Sequence, residues 1–369
     1  MRTGMIGHVR ILAFALALMP PVMMAAPVDP ATLPGIWKGS IGQQLVVACF
    51  NRSDNRTIGS YYYLRHLVPI EVGFDASNKV LEETDGIWDV ELAAGSDTLT
   101  GSWKKKKDET LAAPITLTRA GAADPGACGS DAFVAPLEAS SAPRVVSGPR
   151  ADFDGHAYRT LSGLNQATIQ ILAPGSAANA INRDLRAFID DSPAAVAEYN
   201  LRRRNDLASR GFVMDDENTV TPSYWSDRYL SINFYSWAAG MGKSGISSHV
   251  LTWDLVTGRR VDLWGWFGVA HDGSADDAAP LPKRLLAKFV KLADVPQGED
   301  NCAANYAGGV PFRISLTATG MEFAQWPEGD GCDIGFAADF KSLLPYMTPS
   351  GRAAAMAIMV SAEKPAVRP

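Results

Sequence analysis

Gln44-Leu-Val-Val-Ala-Cys-Phe50 and Gly59-Ser-Tyr-Tyr-Tyr-Leu64 are two short runs rich in aromatic and branched residues, separated by the polar stretch Asn51-Arg-Ser-Asp-Asn55. Runs of this kind bounded by Asn, Asp, Ser and Gly read as strands joined by turns. Gly35-Ile-Trp37-Lys-Gly39 precedes them. Gly86-Ile-Trp88-Asp-Val-Glu-Leu92, Leu99-Thr-Gly-Ser-Trp103 and Pro114-Ile-Thr-Leu-Thr118 follow. Strands at this spacing predict a small antiparallel β-barrel or meander over residues 31–119. Lys104-Lys-Lys-Lys107 lies between the last two strands and reads as a solvated hairpin tip, with contact to an acidic envelope polymer as the alternative.

Outward from that block the composition changes. Residues 120–150 are rich in Ala, Gly, Pro and Ser with almost no apolar periodicity, which predicts a linker. From residue 151 strands and helices mix. Ala167-Thr-Ile-Gln-Ile-Leu172 reads as a strand and Pro174-Gly-Ser176 as a turn and helix cap. Ile181, Leu185, Phe188 and Ile189 then form one apolar helical stripe. Ser192-Pro193 restarts or kinks the helix, which is expected to reach about Arg204 with Arg202-Arg-Arg204 as a charged last turn. Leu230, Ile232 and Phe234 alternate with Ser231, Asn233 and Tyr235 in a two-faced strand. His249 to Leu255 and Arg259 to Leu263 make further strands, Leu285 to Leu292 another helix, and Phe312 to Trp326 a late hairpin. The predicted class is α+β: a barrel or meander domain, then a domain over residues 151–355 with an antiparallel sheet packed by helices, then a tail over 356–369. About 340 residues exceed what one core usually holds, consistent with two domains.

The amino-terminal residues predict export. Arg2, His8 and Arg10 make a basic region, Ile11 to Met19 an apolar one, and Met23-Met-Ala-Ala26 offers a cleavage zone, so residues 1–25 read as a signal peptide cut after Ala25. The apolar run is too short for a membrane anchor, and no later stretch reads as a membrane span. The expected location is periplasmic or extracellular. Four cysteines in an oxidising compartment allow three pairings. Cys49–Cys128 and Cys302–Cys332 are favoured because each keeps its bridge within or beside one domain. Cleavage removes Arg2 and Arg10 and no acid, so 34 basic residues become 32 against 40 acidic ones, a net charge of −8. That balance argues against a nucleic-acid binder and leaves room for a basic protein partner.

Several segments of the second domain resemble the RsiV-like extracytoplasmic domain. They are Ala167-Thr-Ile-Gln-Ile-Leu-Ala-Pro174 with Ala180-Ile-Asn182, Tyr229-Leu-Ser-Ile-Asn-Phe234, and Trp253-Asp-Leu-Val-Thr-Gly258 running into Val261-Asp-Leu263 and Trp266-Phe267. Thr319-Gly-Met-Glu-Phe323 and Leu343-Leu-Pro-Tyr346 resemble its closing part. The resemblance covers roughly residues 160–350 through short, dispersed motifs. The family includes a lysozyme-binding anti-sigma factor and modules beside peptidoglycan deacetylase domains. The resemblance therefore implies a cell-envelope sensing or binding module, with lysozyme or peptidoglycan as the class of partner. The family often carries a Gly-Ala-His motif about eleven residues before the turn aspartate. Gly242-Lys243 stands there, without a histidine, so the role of that motif is not carried over.

Catalytic motifs are scarce. Gly242-Lys243-Ser244 lacks the glycine a phosphate loop needs, because Trp237 occupies its place. No G-x-S-x-G elbow or H-E-x-x-H is present. His249, near Ser247, Ser248 and Asp254, is the one candidate general base, but strand alternation puts Asp254 on the other face, which favours a structural histidine. Asp152-Phe-Asp154-Gly-His156 and His271-Asp272-Gly-Ser-Ala-Asp276-Asp277 lack calcium-loop spacing and read as acidic loops, so no metal and no cofactor is expected. Trp264 and Trp266, flanking Gly265, are read either as a ligand-stacking pair on one strand face or as core residues beneath a helix. The favoured reading is a non-enzymatic exported binding protein. An envelope hydrolase or transferase near His249 and Asp254, and a structural accessory subunit, are the alternatives.

Overall fold

The computed structural model describes residues 29–53, 56–75, 80–92, 96–121, 126–140, 145–214, 216–238, 245–270, 278–289, 309–325 and 334–362. The signal peptide, the Cys302–Cys332 pairing, Gly242-Lys243 and the His271–Asp277 loop lie outside these residues.

The amino-terminal strands close into a barrel: β1 (Gly35–Ile41), β2 (Gln44–Ser53), β3 (Arg56–Tyr63), β4 (Ile70–Asp75), β5 (Val80–Glu82), β6 (Gly86–Leu92), β7 (Thr98–Lys105) and β8 (Asp108–Arg119). Each pairs antiparallel with the next, and β1 closes the ring on β8 through pairs such as Gly39↔Leu117. The crossing at Gly39 is so tight that a Cβ there would lie 2.0 Å from the Thr116 carbonyl oxygen, so only glycine fits. Val46, Ala48 and Phe50 point inward against Trp37, Tyr61, Trp88 and Leu117, whereas Val47 and Cys49 point outward. Both faces of β2 are covered, hence its unbroken apolar run. The Lys104–Lys107 stretch does turn β7 into β8. β4 and β5 escape the sequence reading because β4 buries only Val72 fully and β5 has three residues.

The linker expectation is corrected over residues 127–140. A 3-10 turn at Ala127–Gly129 leads into α1 (Asp131–Ser140). Phe133, Val134 and Leu137 bury one face of α1 on the outside of the barrel, against Val47, Cys49 and Tyr62. Each such side chain is worth about 1.5–3 kcal/mol of transfer free energy. Cys49 and Cys128 form a disulfide with 5.4 Å between their Cα atoms, a bridge compatible with export. Pro136 removes one helical N–H and small residues flank α1, so its sequence resembles a linker while its three apolar groups dock it.

The second half begins with β9 (Val146–Phe153), β10 (His156–Gly163) and β11 (Gln166–Ile171) in a meander. α2 (Ser176–Arg186) buries Ile181 and Leu185 but ends before Phe188, and Ile189 continues the apolar stripe from outside the helix. Ser192 caps α3 (Pro193–Arg210), its Oγ accepting from the Ala195 N–H at 3.2 Å. α3 runs past Arg204, so the three arginines sit in its middle. Arg204 there reaches Asp131 and Glu138 of α1 at 2.7 and 2.5 Å. Leu207 joins the α1 cluster, and Asn51 on β2 donates its amide to the Ala208 carbonyl at 2.6 Å. At the end of α3, Gly211 takes φ +83°, and a Cβ there would lie 2.5 Å from the Ile58 carbonyl. The barrel and the second half therefore share a packed junction.

One predicted sheet proves to be several. β12 (Glu217–Trp225), β13 (Tyr229–Trp237), β14 (Ile246–Asp254) and the short β15 (Arg259–Arg260) form a second antiparallel sheet. β16 (Ala278–Pro280), β17 (Pro311–Leu316), β18 (Gly320–Gln325) and β19 (Gly335–Asp339) form a third. α4 (Lys283–Phe289), α5 (Phe340–Leu343) and α6 (Pro349–Ala362) pack with the third sheet. α6 carries ordered structure beyond residue 355, with Ala355 and Ile358 both buried, which shortens the expected tail. Among the described residues no helix is long and apolar enough to cross a membrane.

Candidate functional site

A cleft of about 730 Å³ opens beside the start of β3 and the ends of β4 and β5. Its size falls within the ~300–1,000 Å³ usual for ligand sites. Strand alternation makes it. Val72 points into the barrel, so Glu71, Gly73 and Asp75 point out. Gly73 pairs with Ile58 on one side and Glu82 on the other, and a Cβ on it would meet nothing within 4 Å. Thr57 is buried and donates its hydroxyl to the Pro30 carbonyl at 2.9 Å, which pins the chain entry to the rim.

Among the described residues, four carboxylates line this cleft (Glu71, Asp75, Glu82 and Glu83) against two cations, Arg56 and Lys106. Lys106 Nζ lies 3.3 Å from Glu82 Oε2. Although Glu71 as a residue is exposed, desolvation raises its carboxyl above the ordinary value, with the charge of Arg56 opposing. Glu83 is buried where the cleft meets the barrel interior. Tyr61 Oη donates to its Oε2 at 2.5 Å and Trp103 Nε1 to its Oε1 at 2.7 Å. Burial, then the hydrogen bond to Glu83 and its charge, push the Tyr61 hydroxyl far above its ordinary value, so it remains a donor. Gly86 makes room for this arrangement, since a Cβ there would fall 2.2 Å from Trp103 Nε1. Among the described residues that line it, the cleft holds no histidine, cysteine or serine. Its surplus of negative charge favours holding a cationic group.

The structure places the sequence-predicted residues elsewhere. His249 is half-buried on β14, its ring stacked on Phe234 at 4.9 Å and 3°. Asp254 ends the same strand, accepting from Arg228 Nη2 at 2.8 Å and from the Val256 and Thr257 N–H groups at 2.8 and 3.1 Å. Ser248, on the face opposite His249, donates to Asn233 Oδ1 at 2.9 Å and accepts from Arg313 Nη1 at 2.7 Å. Histidine, serine and aspartate are thus engaged separately. Arg313 is buried, which pulls its guanidinium down to about 10, opposed by the charge of Glu322.

Trp264 and Trp266 lie on a 3-10 turn, Trp264–Phe267, so the strand alternation expected to send both to one face does not apply. They are 0 % and 7 % exposed, packed within the core of the third sheet and α6. Asp152, in the acidic loop before His156, accepts from the Gly155 N–H at 2.9 Å and so shapes the β9–β10 turn. The cleft carboxylates are not legible in the sequence, because β4 buries only Val72 fully and β5 has three residues, too little local pattern to mark a strand. Lys106, from the Lys104–Lys107 run, is the cleft residue whose place at a hairpin tip the sequence does mark.

No family model and no curated protein matches the chain. A crystal structure described as a member of the DUF3298 family from Bacteroides fragilis is similar to it, with 13% identity, over 60% of this chain and 96% of that one, at a TM-score of 0.33.

Proposed function

We propose that this chain is an exported cell-envelope binding or sensing protein, periplasmic or extracellular, whose ligand presents positive charge. The observation that carries the reading is the surplus, among the described residues, of four carboxylates over two cations in the 730 Å³ cleft. A mature net charge of −8 adds a longer-range field of the same sign. The partner class implied by the RsiV-like resemblance, a basic envelope-active protein such as lysozyme, fits that field, and a peptidoglycan-related ligand is the other class it implies. Against an envelope hydrolase or transferase stands the separate engagement of His249 with Phe234 and of Asp254 with Arg228. A structural accessory subunit would have no need of the cleft.

The test is calorimetry and surface-based kinetics with lysozyme and with soluble peptidoglycan fragments. Lysozyme is expected to bind, and to associate markedly more slowly as salt rises from about 0.05 to 0.5 M and the Debye length shrinks from ~14 to ~4 Å. Glu82→Gln combined with Asp75→Asn should weaken it further. No heat with either probe at any salt would overturn the reading.

A further inference from the structure

β9 is an open edge of the first meander. Among the described residues it pairs with β10 alone, and Ser147, Pro149, Arg150 and Asp152 along it are exposed. The two-residue turn at Asp154 and Gly155, with φ of +50° and +81°, leads into the register Phe153↔His156, Asp152↔Ala157, Ala151↔Tyr158 and Arg150↔Arg159. The Ala157 carbonyl accepts from the Leu172 N–H at 2.9 Å, so Ala157 turns its backbone groups toward β11 and away from β9. Sides alternate along an antiparallel ladder, so Arg159 does the same. Asp152 and Arg150, opposite these two residues, therefore exchange no backbone hydrogen bonds with β10. Their own N–H and C=O groups face the open edge. A row of such groups is a template for another strand.

The side chains on this edge are unbalanced within one chain. Arg150 stands directly across from Arg159, both exposed, and neither makes an ion pair among the described residues. Like charges placed opposite each other weaken a strand pair. Asp152 lies two residues from Arg150, on the same face of β9. Its Oδ1 accepts from the Gly155 N–H at 2.9 Å, and a carboxylate keeps lone pairs for further donors.

We infer that β9 pairs with β9 of a second copy of this chain, antiparallel about a two-fold axis at Ala151, joining two three-stranded meanders into one sheet. Turning the strand on itself about Ala151 sets Arg150 opposite the partner's Asp152, and Asp152 opposite the partner's Arg150. These are the residues whose backbone groups face the edge, so each pair exchanges hydrogen bonds in both directions. Arg150 gains a carboxylate that offsets Arg159. At the axis two alanines meet, small enough for close approach. Pro149 falls opposite the partner's Phe153, in a pair that exchanges no hydrogen bonds, so its missing N–H costs nothing. The register shift between Arg159 and Leu161 then confines the pairing to this stretch. Many strands could satisfy the backbone, but the Arg-x-Asp order complements itself and selects a second copy. None of the residues lining the acidic cleft lies on β9, so the inference is independent of the ligand reading above.

The experiment is sedimentation velocity on the full mature protein at concentrations up to about 200 μM, where the mean mass should climb toward that of a dimer. Arg150→Asp and Asp152→Arg should each weaken self-association about tenfold or more, because each sets like charges opposite each other in both pairs. Mixed in equal amounts, the two variants should dimerise again, since one supplies both acids and the other both bases. Asp152→Arg also removes the bond to Gly155, so Ala151→Cys gives a second readout that spares the turn. Across the two-fold axis it should form a disulfide-linked dimer under mild oxidation, as the Cβ atoms of such a pair lie only about 5 Å apart. A monomer at every concentration overturns the inference. So does a dimer that survives both charge variants, or one that Ala151→Cys fails to cross-link.

Discussion

Trp253 donates its indole N–H to Asp184 Oδ2 at 2.8 Å, and Arg260 Nε meets the same oxygen at 2.8 Å. One carboxylate on α2 thus fastens a fully buried tryptophan of β14 and the β15 strand beside it. Desolvation pushes that carboxyl up. The hydrogen bonds from Arg260 and Trp253 and the charge of Arg260 outweigh it, so Asp184 sits below the ordinary value of 3.8.

Asp184→Ala leaves a buried indole N–H without its acceptor and should cost about 1–3 kcal/mol at neutral pH. A carboxyl with a lowered folded-state pKa contributes stability above its unfolded value and loses it as pH falls through the folded value. The gap between wild type and Asp184→Asn should therefore narrow below about pH 3.8. Urea unfolding at pH 7 and pH 3 checks this, and a gap that widens on acidification contradicts it.

The Cys49–Cys128 bridge spans 79 residues of sequence. On chain-entropy grounds its removal by Cys49→Ala and Cys128→Ala should cost about 4–5 kcal/mol. Amides of α1 should lose hydrogen-exchange protection first, because the bridge anchors the turn that leads into it. Non-reducing peptide mapping should also recover Cys302–Cys332. A bridge from Cys49 to Cys332 would refute both pairings.

Trp264→Ala empties a fully buried site and should lower stability by about 3–5 kcal/mol while leaving lysozyme association intact. Thermal unfolding and binding kinetics on the same preparation separate the effects. Loss of binding with an unchanged melting temperature would instead make the indole an interface anchor.

Gly86→Ala drives a methyl group into Trp103 Nε1 and the Glu83 carboxylate, at 2.2 and 2.5 Å. Displacing that ring breaks its bond to Glu83, and overpacking of this kind costs about 1–3 kcal/mol. Near-ultraviolet dichroism should change with it. Unaltered dichroism and stability would mean that the Tyr61–Glu83–Trp103 network relaxes freely.

Local pattern carried much of the architecture. The unbroken apolar run Val46 to Phe50, bounded by polar turn residues, and the alternation of Leu230, Ile232 and Phe234 with Ser231, Asn233 and Tyr235 both mark strands locally. Ser192-Pro193 likewise marks a helix start through capping chemistry. Barrel closure between β1 and β8 depends on a pairing more than seventy residues apart, which no local period encodes. The same holds for α1, whose three apolar groups have meaning only against the barrel wall, and for Trp264 and Trp266, whose burial depends on α6 and the third sheet arriving from distant sequence. Glu71, Asp75, Glu82 and Glu83 are ordinary surface acids in the sequence. The pairing of β3 with β4 and of β4 with β5 is what gathers their charges into one cleft, because electrostatic surplus is a property of distance in space and not of order along the chain.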